Sequence, residues 1–236
     1  MAHGDRLVRL DPVNDIRADQ LYRFFRAGED EVLALRGVSL AVAPGEVVAV
    51  AGPSGSGKST LLACLAGLDE PDGGMVHISG VRISHRPEAE RAAMRARRIG
   101  VLRQSGNLLP HLTVRQNLRL VQGLVQHAER PTSAELLDSV GLATRADARP
   151  GQLSGGELAR AGLAVALANA PGVLLADEPT GELDEATEAV VLDLLRGQAN
   201  AGRAVLVASH SAAVWRAADR AVRLVAGQIE PDGVAA

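Results

Sequence analysis

Three short strings in this chain hold residues whose types and spacing could do chemistry. The first is GPSGSGKST, Gly52–Thr60. It fits G-x-x-x-x-G-K-[ST], a loop whose backbone N–H groups turn inward around phosphate oxygens. Its Lys58 is the one lysine among 25 lysines and arginines. A compact ammonium on a flexible stem fits such a cradle, whereas a guanidinium is planar and bulkier. Ser59 would offer a hydroxyl to magnesium. The second string, LLADEP, ends an apolar run in Asp177 and Glu178. Magnesium takes one or two carboxylates alongside waters and phosphates, which suits Asp177. Glu178 would then orient or deprotonate an attacking water. An acidic turn after a core strand gives the same string, but the phosphate loop upstream makes the pair informative. The third string is LSGGE, Leu153–Glu157. Ser154 with Glu157 three residues on forms a capping box. Gly155 and Gly156, however, each weaken a first turn by about 1 kcal/mol relative to alanine. Their presence asks for something that approaches the backbone closely, and an anion at the helix tip is one such thing.

The elements around these strings must hold them in place. Val47–Ala51 is a short apolar run suited to a buried parallel strand, and Leu61, Leu62 and Leu65 recur at helical spacing after Lys58. DIRADQLYRFF and VLALRGVSLAVAPGE read as two strands, MVHISGVRIS as a short strand pair, and Pro87 to about Gln152 as helical. Strands and helices alternate again after Gly172. Arg91, Arg95, Arg97 and Arg98 read as a solvated helix face. Cys64, the single cysteine, reads as a small buried apolar residue. With 236 residues, 47% hydrophobic and only 2% aromatic, the chain suits one large domain with a core of Ala, Val and Leu. Its organisation is expected as a tail over 1–15, one domain over 16–230 with a helical lobe inserted at about 87–168, and a tail over 231–236. A net charge of -3 argues against nucleic acid as a partner. No secretory signal is expected in MAHGDRLVRLD, and the longest uncharged apolar stretch is broken by Asn169, Pro171 and Gly172, so no membrane span is expected.

Taken together, GPSGSGKST, Gln104, LSGGE, LLADEPTGELD and ASH resemble the ATP-binding cassette (ABC) ATPases, in that family's order and approximate spacing. The resemblance covers about Ile16 to Ile229. It implies an α/β fold, a P-loop NTPase core with a mainly parallel sheet, a small antiparallel β subdomain and an inserted helical lobe. It implies ATP and Mg2+ as cofactors. Gly52, Pro53, Ser54, Gly55, Ser56, Gly57, Lys58, Ser59 and Thr60 would surround the phosphates, and Ser59, Gln104 and Asp177 would serve the metal. Glu178 and His210 would be catalytic. Phe25, in FRAGE, falls where the family stacks adenine. It also implies head-to-tail pairing with a second cassette, in a homodimer. Each ATP would then meet Ser154, Gly155, Gly156 and Glu157 of the other copy, with Asp184 in the segment that crosses between them. LLADEPTGELD, NLLPHLTVRQNL and LDEPDGG are most similar to the macrolide-exporter, lipoprotein-release and cell-division group. Departures are Leu102–Arg103 before Gln104, Glu182 for an Asn or Ser, Ser211 after His210, and ELAR after the signature. The implied function is an ATP-hydrolysing subunit that drives a separate membrane permease from the cytoplasmic face of the membrane. A cell-wall signalling complex and a soluble, non-transport ATPase are the rival expectations.

Overall fold

The computed structural model describes residues 15–27, 30–125 and 130–230. The expected tails, 1–15 and 231–236, lie outside the described residues apart from Asp15, as do Gly28 and Glu29 of FRAGE. Among the described residues, two sheets organise the fold. The apolar runs pair in parallel. β3 (Val47–Ala51), β6 (Ile99–Leu102), β7 (Val173–Asp177), β8 (Ala204–Ala208) and β9 (Arg220–Val225) form a sheet edged by the short antiparallel β10 (Gln228–Ile229). Its order is β10-β9-β3-β8-β7-β6. Every residue of β3 and β8 is buried, as strands covered on both faces must be. Side chains alternate across it. Val47 and Ala49 join one hydrophobic core with the helical lobe, while Val48 and Val50 join a second core with the other sheet.

Register decides what meets at the sheet's edge. Val50 and Asp177 both pair with Ala208. The loop after β3, the acidic pair at the end of β7 and Ser209–His210 after β8 therefore leave the sheet side by side, at the carboxyl ends where open α/β sheets place ligands.

The second sheet is antiparallel: β1 (Ile16–Ala27), β2 (Asp30–Val42), β4 (Gly73–Ile78) and β5 (Val81–Arg82), in the order β2-β1-β4-β5. Register shifts along β1, including one between Arg23 and Phe24, break its strict alternation. Phe24 and Phe25 consequently both stay half-exposed. Helix α1 (Lys58–Leu65) lies between the sheets and buries Leu61, Leu62, Cys64 and Leu65. One junction ties the sheets together. A methyl at Gly57 would lie 2.5 Å from the Ala34 carbonyl oxygen, and one at Gly227 would lie 2.7 Å from the same atom. Both glycines have positive φ, 105° and 79°. Gly227 also donates its N–H to Ser56 O at 3.0 Å and accepts from Arg36 N at 2.8 Å.

The remaining helices are α2 (Glu88–Arg98), α3 (Val114–Gly123), α4 (Ser133–Ser139), α5 (Gly155–Ala166), α6 (Glu185–Asn200) and α7 (Ala212–Ala217). The expected lobe boundary needs correction at its start. β6 lies within 87–168 yet pairs with β7 in the core sheet, because α2 runs into that strand without a break. The arginine reading also changes. Arg91 pairs with Glu70 and Glu88, and Arg95 donates to Gly67 O and Glu88, which ties α2 to the end of α1. In the lobe, the buried Asn117 bonds Leu109 N, Leu109 O, Leu112 O and Thr113 O, so one side chain shapes the turn before α3.

Candidate active site

Lys58 opens α1 directly after Gly57. Its ammonium curls back and donates to the carbonyls of Gly52 at 2.8 Å and Pro53 at 3.1 Å. Glu178 Oε1 lies 3.9 Å away. Lys58 is only 8% exposed, and these oxygens offset the cost of burying its charge. Ser56 closes the inner turn by donating its N–H to Pro53 O at 3.3 Å, while its own Oγ is buried without a partner among the described residues. Pro53, Ser54 and Gly55 are exposed.

Glu178 follows β7 with φ 45°, a left-handed backbone that costs a non-glycine residue about 1–3 kcal/mol. Its N–H, donated to Ala208 O at 2.9 Å, holds that geometry. Glu178 Oε2 accepts from Ser209 Oγ at 2.9 Å and sits 3.0 Å from His210 Nδ1. Ser209 is fully buried, whereas the His210 side chain is 69% exposed. One oxygen of the carboxylate is thus held from behind, and the other faces the ammonium.

An open cleft of about 830 Å3 gathers these groups, a size usual for small-molecule sites. Phe25, Ser54, Gly55, Gly57 and Lys58 line it, as do Ser59, Thr60, Gln104, Glu178 and His210. Val32, opposite Phe25 in the β1–β2 register, completes an apolar wall. Asp177 stands at the end of β7, next to Glu178 but outside the cleft lining, and its Oδ1 is buried with no hydrogen-bond partner among the described residues. Ser59 and Gln104, which do line the cleft, carry oxygens of their own. Hard oxygen donors with so few carboxylates are what magnesium accepts, so these residues fit that ion. Gln104 follows β6 and donates Nε2 to Glu182 Oε1 at 3.3 Å. Asn107 brackets that turn, accepting from Arg103 N and donating to Arg103 O.

Ser154, Gly155, Gly156, Glu157 and Asp184 do not line the cleft. Ser154 caps α5: Glu157 N donates to Ser154 Oγ at 3.2 Å, and Ser154 N donates to Glu157 Oε2 at 2.9 Å. Arg145 grips both oxygens of Glu157 at 2.7 and 3.1 Å. The Arg145 bonds, then the Ser154 N–H, pull the Glu157 carboxyl down to about 2. Ser154 and Gly155 are exposed, but Gly156 has a reason inside the chain. A methyl there would sit 2.2 Å from Thr187 Cγ2. Asp184 caps α6, accepting from Thr187 N at 3.0 Å and Thr187 Oγ1 at 2.9 Å, and these bonds hold its carboxyl below the usual carboxylate range. Burial pushes the Cys64 thiol up to about 12, in keeping with an inert core residue.

Two contributors had no mark in the sequence. Ser209 appears there only inside ASH, and nothing local marks Arg23, whose guanidinium stands over the Phe25 ring.

Residues 35–181 match the family model described as ABC transporter. The chain belongs to the ABC transporter family, as an ATP-binding cassette. It is 43% identical over 227 residues to the lipoprotein-releasing system ATP-binding protein LolD of Novosphingobium aromaticivorans, covering 93% of this chain and 99% of that protein. It is 38% identical over 220 residues to the macrolide export ATP-binding/permease protein MacB of Chromobacterium violaceum, where the match spans 92% of this chain and 34% of the longer protein. The dimeric structure of MJ0796, a bacterial ABC transporter cassette, superposes with a TM-score of 0.84 at 34% identity, covering 91% of this chain and 96% of that one. The cassette is therefore an α/β ATP hydrolase that binds its nucleotide, as the strings implied. No helix among its described residues is long and apolar enough to cross a membrane.

Proposed function

We propose that this cassette hydrolyses ATP to drive a separate membrane permease in lipoprotein release or a related export step. The observation that carries the reading is the meeting of Lys58, Glu178 and His210 at one end of a cleft with Phe25 in its wall. Phe25 stacks the adenine, and the loop from Gly52 to Thr60 wraps the phosphates, with Lys58 turning from its own carbonyls toward the terminal ones. Asp177, Ser59 and Gln104 would hold Mg2+, which would supply charge neutralisation on the phosphates. Glu178 orients the attacking water and takes its proton, Ser209 and His210 fixing the carboxylate. His210, largely exposed, is free to contact the terminal phosphate.

The capped tip at Ser154–Glu157 lies outside the cleft and exposes Ser154 and Gly155 to solvent. This supports its use in trans, against the nucleotide of a second copy, with Glu182–Asp184 crossing nearby. The dimeric form of MJ0796 supports the same arrangement. The names LolD and MacB support release or export over a signalling role, and they support a permease partner and peripheral attachment at the cytoplasmic membrane face.

Glu178→Gln is the test. It should keep ATP affinity while slowing phosphate release by about 10²–10⁴-fold, the usual worth of a positioned base. With ATP it should elute as a dimer in size-exclusion runs. Turnover at the wild-type rate would remove Glu178 from the mechanism.

A further inference from the structure

We infer that Arg23 is a positioning residue for the nucleotide base, holding the Phe25 ring ready before ATP arrives. This rests on the reading of the cleft as an ATP site. Arg23 precedes Phe25 by two residues on β1. Its Nε and Nη2 donate to the two oxygens of Asp69 at 2.9 and 2.8 Å, and its Nη1 donates to Asp72 at 3.1 Å. A guanidinium is a rigid planar fork, so donors committed in this way fix its plane. Asp72 also accepts the Phe24 N–H at 2.8 Å, which pins the backbone next to Phe25. Both aspartates lie between α1 and β4. The guanidinium is therefore referenced to the helix that begins with Lys58. Its central carbon lies 4.7 Å from the centre of the Phe25 ring, inside cation–π range. The ring is 40% exposed and lines the cleft beside Val32. An aromatic side chain this exposed would otherwise sample several rotamers. One that must be immobilised on binding weakens affinity by about 2- to 10-fold.

Calorimetric titration with ATP and with tripolyphosphate, which carries phosphates and no base, tests the inference. The proteins are wild type, Arg23→Gln, Arg23→Lys, Phe25→Ala and the Arg23→Gln/Phe25→Ala double variant. Arg23→Gln should weaken ATP about 2- to 10-fold and leave tripolyphosphate unchanged. Arg23→Lys, which keeps a cation, should recover part of the loss. In the Phe25→Ala background Arg23→Gln should have no further effect. The ratio of the two affinities is read within one sample, so loss of the Asp69 pair and of stability does not mimic the result. Equal weakening of both ligands, or an undiminished effect without Phe25, overturns the inference. So does a wild-type ATP affinity in Phe25→Ala, which leaves the ATP site itself standing. A wild-type protein that binds no ATP would overturn both readings.

Discussion

The ammonium of Lys58 sits inside a loop whose own carbonyls it bonds at 2.8 and 3.1 Å, with 8% of the residue exposed. That space explains a lone lysine in a chain otherwise supplied with arginine. A guanidinium is planar and bulkier than the ammonium that turns back to the Gly52 and Pro53 carbonyls. Lys58→Arg should therefore weaken ATP binding by about tenfold or more, since hydrogen bonds to a charged group are worth about 1.5–3 kcal/mol. Calorimetry checks this, and an unchanged dissociation constant would refute the steric account. Lys58, Asp177 and Glu178 could be found by reading because each sits in a contiguous string whose spacing carries its geometry. Arg23 and Ser209 could not. Arg23 meets Asp69 and Asp72 across 46 and 49 residues, and Ser209 meets Glu178 across 31. No local pattern records such pairings.

At the scale of elements, the capped helix α5 shows what local reading reaches and what it leaves out. The Ser154–Glu157 box is present as expected, because capping depends only on residues three apart. The glycines had suggested a close external ligand. Gly156 also answers to Thr187 of α6, whose rotamer is fixed by its bond to Asp184. Gly156→Ala should destabilise the fold by about 1–3 kcal/mol through overpacking. Thr187→Ser removes the offending methyl and keeps the hydroxyl. Adding it to Gly156→Ala should restore stability, helped by about 1 kcal/mol of alanine helix propensity. Thermal melts of the three variants decide; a harmless Gly156→Ala would mean that the two helices slide apart freely. β6 was hidden for a different reason: four residues following a helix without punctuation carry too short an apolar run to reveal a strand.

At the scale of the whole molecule, most strands could be read locally and their division into two sheets followed from the family resemblance, but the sheets' mutual placement could not be read. It depends on Ala34, Gly57 and Gly227, residues from distant parts of the chain that meet backbone to backbone. The antiparallel sheet carries the Phe25 ring, and the parallel sheet carries the loop around Lys58. The junction at Ala34 therefore acts as a caliper whose jaws are the two ends of the nucleotide. A methyl at position 227 would be a shim in that caliper. Gly227→Ala should raise the dissociation constant for ATP and leave that for tripolyphosphate unaltered, and equal constants in mutant and parent would show the jaws to be independent. The span from purine to last phosphate is then gauged by a contact that contains no side chain at all.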